Sequence, residues 1–417
     1  MANPMKRRQF LAGAAGAGAV GALHTPLGRI SARPRPLRAE LTAAVTPAVY
    51  KGPKTLVLLT LYGGNDGLNT VVPYEDPKYL AERENIAMKP DSVLPIGDGL
   101  GLNPELINFK NYWETGQLAI VRGVSYPNPS LSHFQSMDIW QTADTTGDVA
   151  SGWLGRWLDA TSPDPIKACS VGPQVLPAMA GNERKAAAVQ DSTYAGAQLP
   201  NGDPQFIAVY RELQRPRTAY GPYLAAVAQT GTEMLTTSKE FAHAIGHEPP
   251  PKFPPGVFGG DVGTQLGVVS QLIRSGIPTQ AYSVTMGGYD THSGEVGTQT
   301  QLLRQLDASV EAFFTSLATH PSGPGVTLVI YTEFGRRMNS NASGGTDHGT
   351  ANNVYVLGQQ VHGGFYGEQP SLTHLDVNGN LIHNVDFRSV YATVLEHILE
   401  VDAKPFLAAS YPNLGFV

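Results

Sequence analysis

Five short apolar runs separated by longer helix-like segments restrict this chain more than any other feature. They are Thr55–Tyr62 (TLVLLTLY), Leu118–Arg122 (LAIVR), Gln280–Thr285 (QAYSVT), Val326–Thr332 (VTLVIYT) and Asn353–Leu357 (NVYVL), all strand-like. Between them, Gln299–Leu317 places Leu302, Leu303, Leu306, Val310, Phe313, Phe314 and Leu317 at three- and four-residue spacing, an amphipathic helix ending near Pro321. Asp386–Leu399 repeats the pattern, with Asp386 as a cap before Val390, Val394, Leu395 and Ile398. Strands alternating with long helices predict an α/β fold, a largely parallel sheet with helices on both faces. The stretch from about Ala178 to Pro255 differs. It holds helix-capable segments at Gln205–Leu213 and Tyr223–Ile245, then a proline-rich run from Pro249, and no convincing central strand. It reads as a helical insertion, about 178–255, within one domain spanning 51–417.

Composition excludes several classes. The 417 residues are ample for a large core, and 41% hydrophobic content with a net charge of -6 is not the signature of disorder. The 29 basic residues are outnumbered by 35 acidic ones and form no run beyond the first positions, so no footprint for a nucleic-acid backbone exists. Only 15% of residues are charged, against about 25% in an average soluble protein, while Gly 46 and Pro 32 are in excess. A loop-rich protein with little charged helix surface follows. The single cysteine, Cys169, rules out an intrachain disulfide or a thiolate cluster and reads as a small buried hydrophobe.

Lys6-Arg7-Arg8-Gln9-Phe10-Leu11 has the R-R-x-F-L form of a twin-arginine export signal, followed by a weakly apolar run, Leu11–Leu23. That run is shorter than the roughly 20 residues of a membrane span. Residues 1–50 therefore read as a removable signal and leader, with the twin-arginine translocase as a transient partner, a periplasmic or extracytoplasmic destination and no stable membrane span. This route carries folded proteins, often already loaded with a metal, so a metal site is worth seeking.

In an open α/β sheet, ligands sit beyond the carboxyl ends of the strands. Four such ends carry polar residues. After Tyr62, Gly63-Gly64-Asn65-Asp66-Gly67 offers hard oxygen donors in a tight turn, or is only a turn. After Arg122, Ser125–Phe134 (SYPNPSLSHF) runs into a helix-like Gln135–Gln141. A serine there is an N-cap or a nucleophile at a helix N-terminus. After Thr285, Asp290-Thr291-His292 in a glycine-bounded turn can aim a carboxylate and an imidazole at one ion, a donor set suited to zinc, manganese or iron. After Tyr331 come Glu333, the pair Arg336-Arg337, and Asp347-His348 in a second glycine-rich loop. Those arginines could hold an anionic ester or be solvated surface.

Taken together these loops resemble the alkaline phosphatase and sulfatase superfamily. More specifically, GGNDGLNTVVP (63–73), YPNPSLSHF (126–134), SGWLGR (151–156), GGYDTH (287–292), EFGRR (333–337) and GGTDHG (344–349) are similar to the domain-of-unknown-function family 1501, over nearly all of residues 55–400. The superfamily resemblance implies that Asp66 and Glu333, helped by Asn65, hold one metal, and that Asp290, His292 and His348, beside Asp347, hold a second. It implies Ser132 as nucleophile, with Ser130 then Ser125 as alternatives, and His133, Arg336 and Arg337 on the ester oxygens. The cofactor it implies is one or two divalent ions: zinc, manganese, calcium or magnesium. This sequence departs from the phosphatase pattern at Phe334, where an imidazole ligand is expected. Asp290 and His292 are separated by one residue instead of three, and Leu131 replaces an arginine.

The expectation is an exported metal-dependent hydrolase of phosphate or sulfate esters, acting on a small anionic ester or a polysaccharide. Alternatives are a non-catalytic, metal-containing envelope protein that binds a protein or polysaccharide, and a metal-free serine hydrolase. The last is disfavoured because no G-x-S-x-G elbow is present.

Overall fold

Every residue of Thr55–Leu61 is buried, which explains why this run is apolar at consecutive positions rather than alternate ones. Successive side chains point to opposite faces of a strand. Val57, Leu59 and Leu61 enter one hydrophobic core with Leu266, Leu302, Leu306 and Phe313, while Leu56 and Leu58 enter another with Trp140, Trp157, Val390 and Leu395. The strand is the middle of a sandwich of helices around a sheet.

The computed structural model describes residues 50–162, 164–172, 174–189, 204–215, 221–248, 252–253 and 262–417. The expected export signal, its leader and most of the proline-rich run lie outside the described residues. Numbering the main-sheet strands in chain order, these are β1 (Thr55–Leu61), β2 (Leu118–Ser125), β3 (Ala168–Val171), β4 (Ala187–Val189), β5 (Ala281–Met286), β6 (Val326–Tyr331), β7 (Asn352–Leu357), β8 (Gly364–Tyr366) and β9 (Val385–Asp386). Their spatial order is β8-β2-β7-β6-β1-β5-β3-β4, with β9 also on β2. All pairings are parallel except those of β7, which runs against both β2 and β6. The fold is α/β, with a largely parallel sheet flanked by helices.

One face is covered by Ile107–Glu114, Val262–Arg274 and Glu295–Leu317, and the other by His133–Thr142, Trp153–Thr161 and Phe387–His397. Asp386 does cap the last of these, its carboxylate accepting from Arg388 N. The helices Pro204–Leu213 and Pro222–His247 fall in the stretch read as an insertion. That stretch also contains β4, which pairs with β3 through Cys169 and Ala187. At three and four residues, β4 and β3 are too short to stand out in the sequence. Among the described residues no helix is long and apolar enough to cross a membrane.

Candidate metal centre

The parallel strands β1, β2, β5 and β6 end at one edge of the sheet, and the reversed β7 begins there. The loops after the first four and the loop before the last therefore meet. Gly63 lets them do so. Its φ is 117°, its N–H donates to Glu333 Oε1 at 2.9 Å, and a Cβ on it would stand 2.4 Å from Asp290 N. Only a residue without a side chain fits.

Asp290 is the hub. Its Oδ1 lies 3.1 Å from Nε2 of both His292 and His348, and its Oδ2 lies 3.4 Å from Nε2 of His133. His292 Nε2 and His348 Nε2 are 2.9 Å apart. In each ring the other nitrogen faces an oxygen with no proton to give. His133 Nδ1 meets Glu333 Oε1 at 2.8 Å, His348 Nδ1 meets the Leu131 carbonyl at 2.8 Å, and His292 Nδ1 meets Asp347 Oδ1 at 3.3 Å. Each Nδ1 is placed to donate, which turns each Nε2 toward the Asp290 carboxylate. Three imidazole nitrogens thus border one carboxylate, a donor set of the kind that holds a cation.

The residues present fit a divalent ion. His133 Nε2 is buried with no hydrogen-bond partner, and His133, Asp290 and His348 each offer a ligand atom within 4.8 Å of the others. Donors about 2.0 Å from a tetrahedral ion are roughly 3.3 Å apart, close to the 3.1 to 3.4 Å between Asp290 and the Nε2 atoms of His133, His292 and His348. Imidazole with carboxylate suits zinc, manganese or iron, whereas calcium and magnesium favour all-oxygen sites.

Burial would raise the Asp290 carboxyl, but hydrogen bonds from Arg336 and His348 and the Arg336 charge bring it down to about 2, so it is an anion. The Glu333 hydrogen bond is the main reason the His133 pKa is raised.

Several residues sit elsewhere than the resemblance implied. Asp66 is fully buried, caps the Gly67–Thr70 turn through Leu68 N, and is ion-paired with Arg83, so it does not join the cluster. Asn65 is buried with its Oδ1 accepting from Thr70. Glu333 is turned toward Gly63 N, Thr332 Oγ1 and His133 rather than toward the Nε2 donors. Arg336 is fully buried and donates to the carbonyls of Gly63, Gly64, Tyr289 and Thr346 as well as to Asp290, leaving no group for a substrate. Arg337 is half-buried, and its backbone carbonyl accepts from Arg83.

Ser125 is buried at the end of β2, and Ser130 Oγ donates to Gln135 Oε1. Ser132 is exposed at the N-cap of the His133–Thr142 helix and makes no side-chain cap bond. Sequence reasoning missed Arg83 and Glu295. Both are buried beside Asp66, and both lie far from it along the chain, where no motif could connect them.

Among solved structures, this chain is similar to an alkaline phosphatase superfamily protein from Vibrio parahaemolyticus (10% identity, 88% of this chain and 71% of that one, TM-score 0.44). It is also similar to the PsFucS1 sulfatase from Pseudoalteromonas sp. (10%, 88% and 72%, 0.37) and the lipoteichoic acid synthase LtaP from Listeria monocytogenes (9%, 87% and 74%, 0.35). No curated protein matches the sequence. Residues 119–409, well over half the chain and including all four cluster residues, match the family described as "Protein of unknown function (DUF1501)", and the chain belongs to that family.

Proposed function

We propose that this protein is an exported, metal-dependent hydrolase of phosphate or sulfate esters. The observation that carries the reading is the convergence of three Nε2 atoms on the Asp290 carboxylate at the carboxyl edge of the sheet. His133, Asp290, His292 and His348 would hold the ion. A divalent cation there supplies Lewis-acid polarisation of an ester oxygen. The fixed Nδ1 contacts keep the rings in place, and Arg336 keeps Asp290 in place. Ser132, next to His133 and exposed at a helix N-terminus, is the nucleophile in this reading. Its Oγ bonds to phosphorus or sulfur as its proton passes to solvent and the bond to the ester oxygen breaks, the leaving oxygen taking up a proton; water then breaks the serine ester, restoring the hydroxyl and releasing the acid. Phe134, 86% exposed beside His133, offers an apolar face to the organic part of the ester. The Arg7-Arg8 signal would carry the folded protein to the periplasm.

The test is hydrolysis of aryl phosphate and aryl sulfate esters by the purified chain supplied with zinc or manganese. Turnover that disappears with chelator and in His348→Ala is expected, and turnover that survives Asp290→Ala overturns the assignment. An ion-loaded protein that cleaves neither ester supports a non-catalytic envelope protein instead.

A further inference from the structure

We infer that the centre takes a single transition-metal ion, with His133 as a ligand and Glu333 as the positioning carboxylate behind it. The inference rests on the proposed function only in taking the cluster as an ion site. Both parts follow from where oxygen lone pairs are already committed. Glu333 Oε1 accepts from Gly63 N at 2.9 Å and from His133 Nδ1 at 2.8 Å, and Oε2 accepts from Thr332 Oγ1 at 2.8 Å. Oε1, the oxygen that faces His133, therefore has both lone pairs taken, and Oε2 keeps one on the side bonded to Thr332. The same carboxylate holds a proton of His133 at Nδ1 and turns the buried Nε2, which has no hydrogen-bond partner, toward Asp290. Such a carboxylate–imidazole–metal series fixes the ring and strengthens it as a ligand.

A second ion would need the oxygens on the β1 side of Glu333, and these are engaged. Asp66 is paired with Arg83 and bonded to Leu68 N. Asn65 Oδ1 accepts from Thr70, and the Asn65 carbonyl accepts from Asn352 at 2.7 Å. Arg83 and Arg336, both fully buried, bring positive charge close to that side. One ion therefore sits on the Asp290 side, in an imidazole-rich donor set.

The experiment is metal analysis and X-ray absorption spectroscopy of the full chain loaded with zinc, together with zinc titration of variants. One equivalent is expected, with at least the two imidazole nitrogens of His133 and His348 around it. His133→Ala should lose one imidazole. Glu333→Gln should keep the same neighbours and bind zinc roughly 10–100-fold more weakly. Two equivalents in the unmodified protein, which needs no variant to fold, overturns the inference. So does a shell unchanged by His133→Ala, or an oxygen lost in Glu333→Gln with every imidazole retained. A chain that binds one zinc in this way but cleaves no ester overturns the hydrolase reading and leaves this inference standing.

Discussion

Nη2 of Arg336 lies 2.9 Å from Oδ1 of Asp290, and the same nitrogen donates to the Tyr289 carbonyl at 2.9 Å. With Nε on the Gly64 carbonyl and Nη1 on that of Thr346, one guanidinium ties together the loops after β1 and β5 and the short strand that carries His348. Lysine cannot replace it, since a point ammonium with three donors has no planar fork. Arg336→Lys leaves buried carbonyls unpaired, and a loss of about 3–5 kcal/mol is expected. Urea denaturation of the two proteins measures it, and coincident midpoints would refute the clamp.

Beneath the metal loops, Asp66, Arg83 and Glu295 form a buried group of two carboxyls and one cation. Burial, then the charge and hydrogen bond of Asp66, push the Glu295 carboxyl up to about 9. The strongly placed Arg83 instead holds Asp66 below the usual range, against its burial. For Glu295 the folded pKa lies above the unfolded value near 4.3. Its stabilising contribution is therefore complete below that unfolded value and is lost as pH rises toward 9, by at most about 1.4 kcal/mol per pH unit. The Asp66 shift has the opposite sense and acts only on the acid side of about 3.9. Glu295→Gln keeps a neutral side chain at every pH. The stability gap between it and the natural chain should shift in favour of the variant between pH 5 and 9. Parallel pH profiles of urea unfolding would remove the buried proton from Glu295.

The sheet was legible because both faces of β1, β5 and β6 are covered, and continuous burial writes itself into continuous apolar runs. Cys169, read as a buried hydrophobe, lies in β3, a strand too short to show a pattern of its own. At the site, Asp290, His292 and His348 were legible as a group from their glycine-rich loops, and the structure brings them within 3.1 Å of one another. The division of labour between Glu333 and His133 was not, because it depends on which way two side chains turn across 200 residues of separation. The fate of Asp66 was hidden for the same reason. Its partner Arg83 lies 17 residues on, in a segment with no motif.

Glycine at position 63 can be tested against a glycine of similar backbone but open surroundings. Gly97 has φ 94°, and a methyl added there would meet nothing within 4 Å, whereas at Gly63 the same methyl meets Asp290 N and the Tyr289 carbonyl carbon at 2.4 and 2.7 Å. Gly97→Ala carries only the backbone strain, about 1–2 kcal/mol. Gly63→Ala adds a collision with backbone that positions the hub carboxylate, so it should cost more stability and also lower zinc affinity. Equal stability losses with unchanged zinc binding would show that the close approach at Gly63 is not needed.

Ser132 and Phe134 flank His133, and kinetics can separate them. If Ser132 is the nucleophile, Ser132→Ala lowers kcat by several orders of magnitude while zinc content stays the same, because the serine side chain lies outside the Nδ1 contacts that orient the rings. Ser130→Ala, which removes the bonds of its Oγ to Gln135 Oε1 and from Ser132 N but leaves the Ser132 hydroxyl in place, should retain most of the rate. If Phe134 is the apolar contact for the organic part of the ester, it touches that part before and during reaction alike. Such uniform binding appears in KM and not in kcat. Phe134→Ala should therefore raise KM for aryl esters by about tenfold, roughly the 1.4 kcal/mol of an exposed aromatic contact, with kcat nearly unchanged. A rate that survives Ser132→Ala, with KM and zinc content intact, would assign the attack to water rather than to the serine.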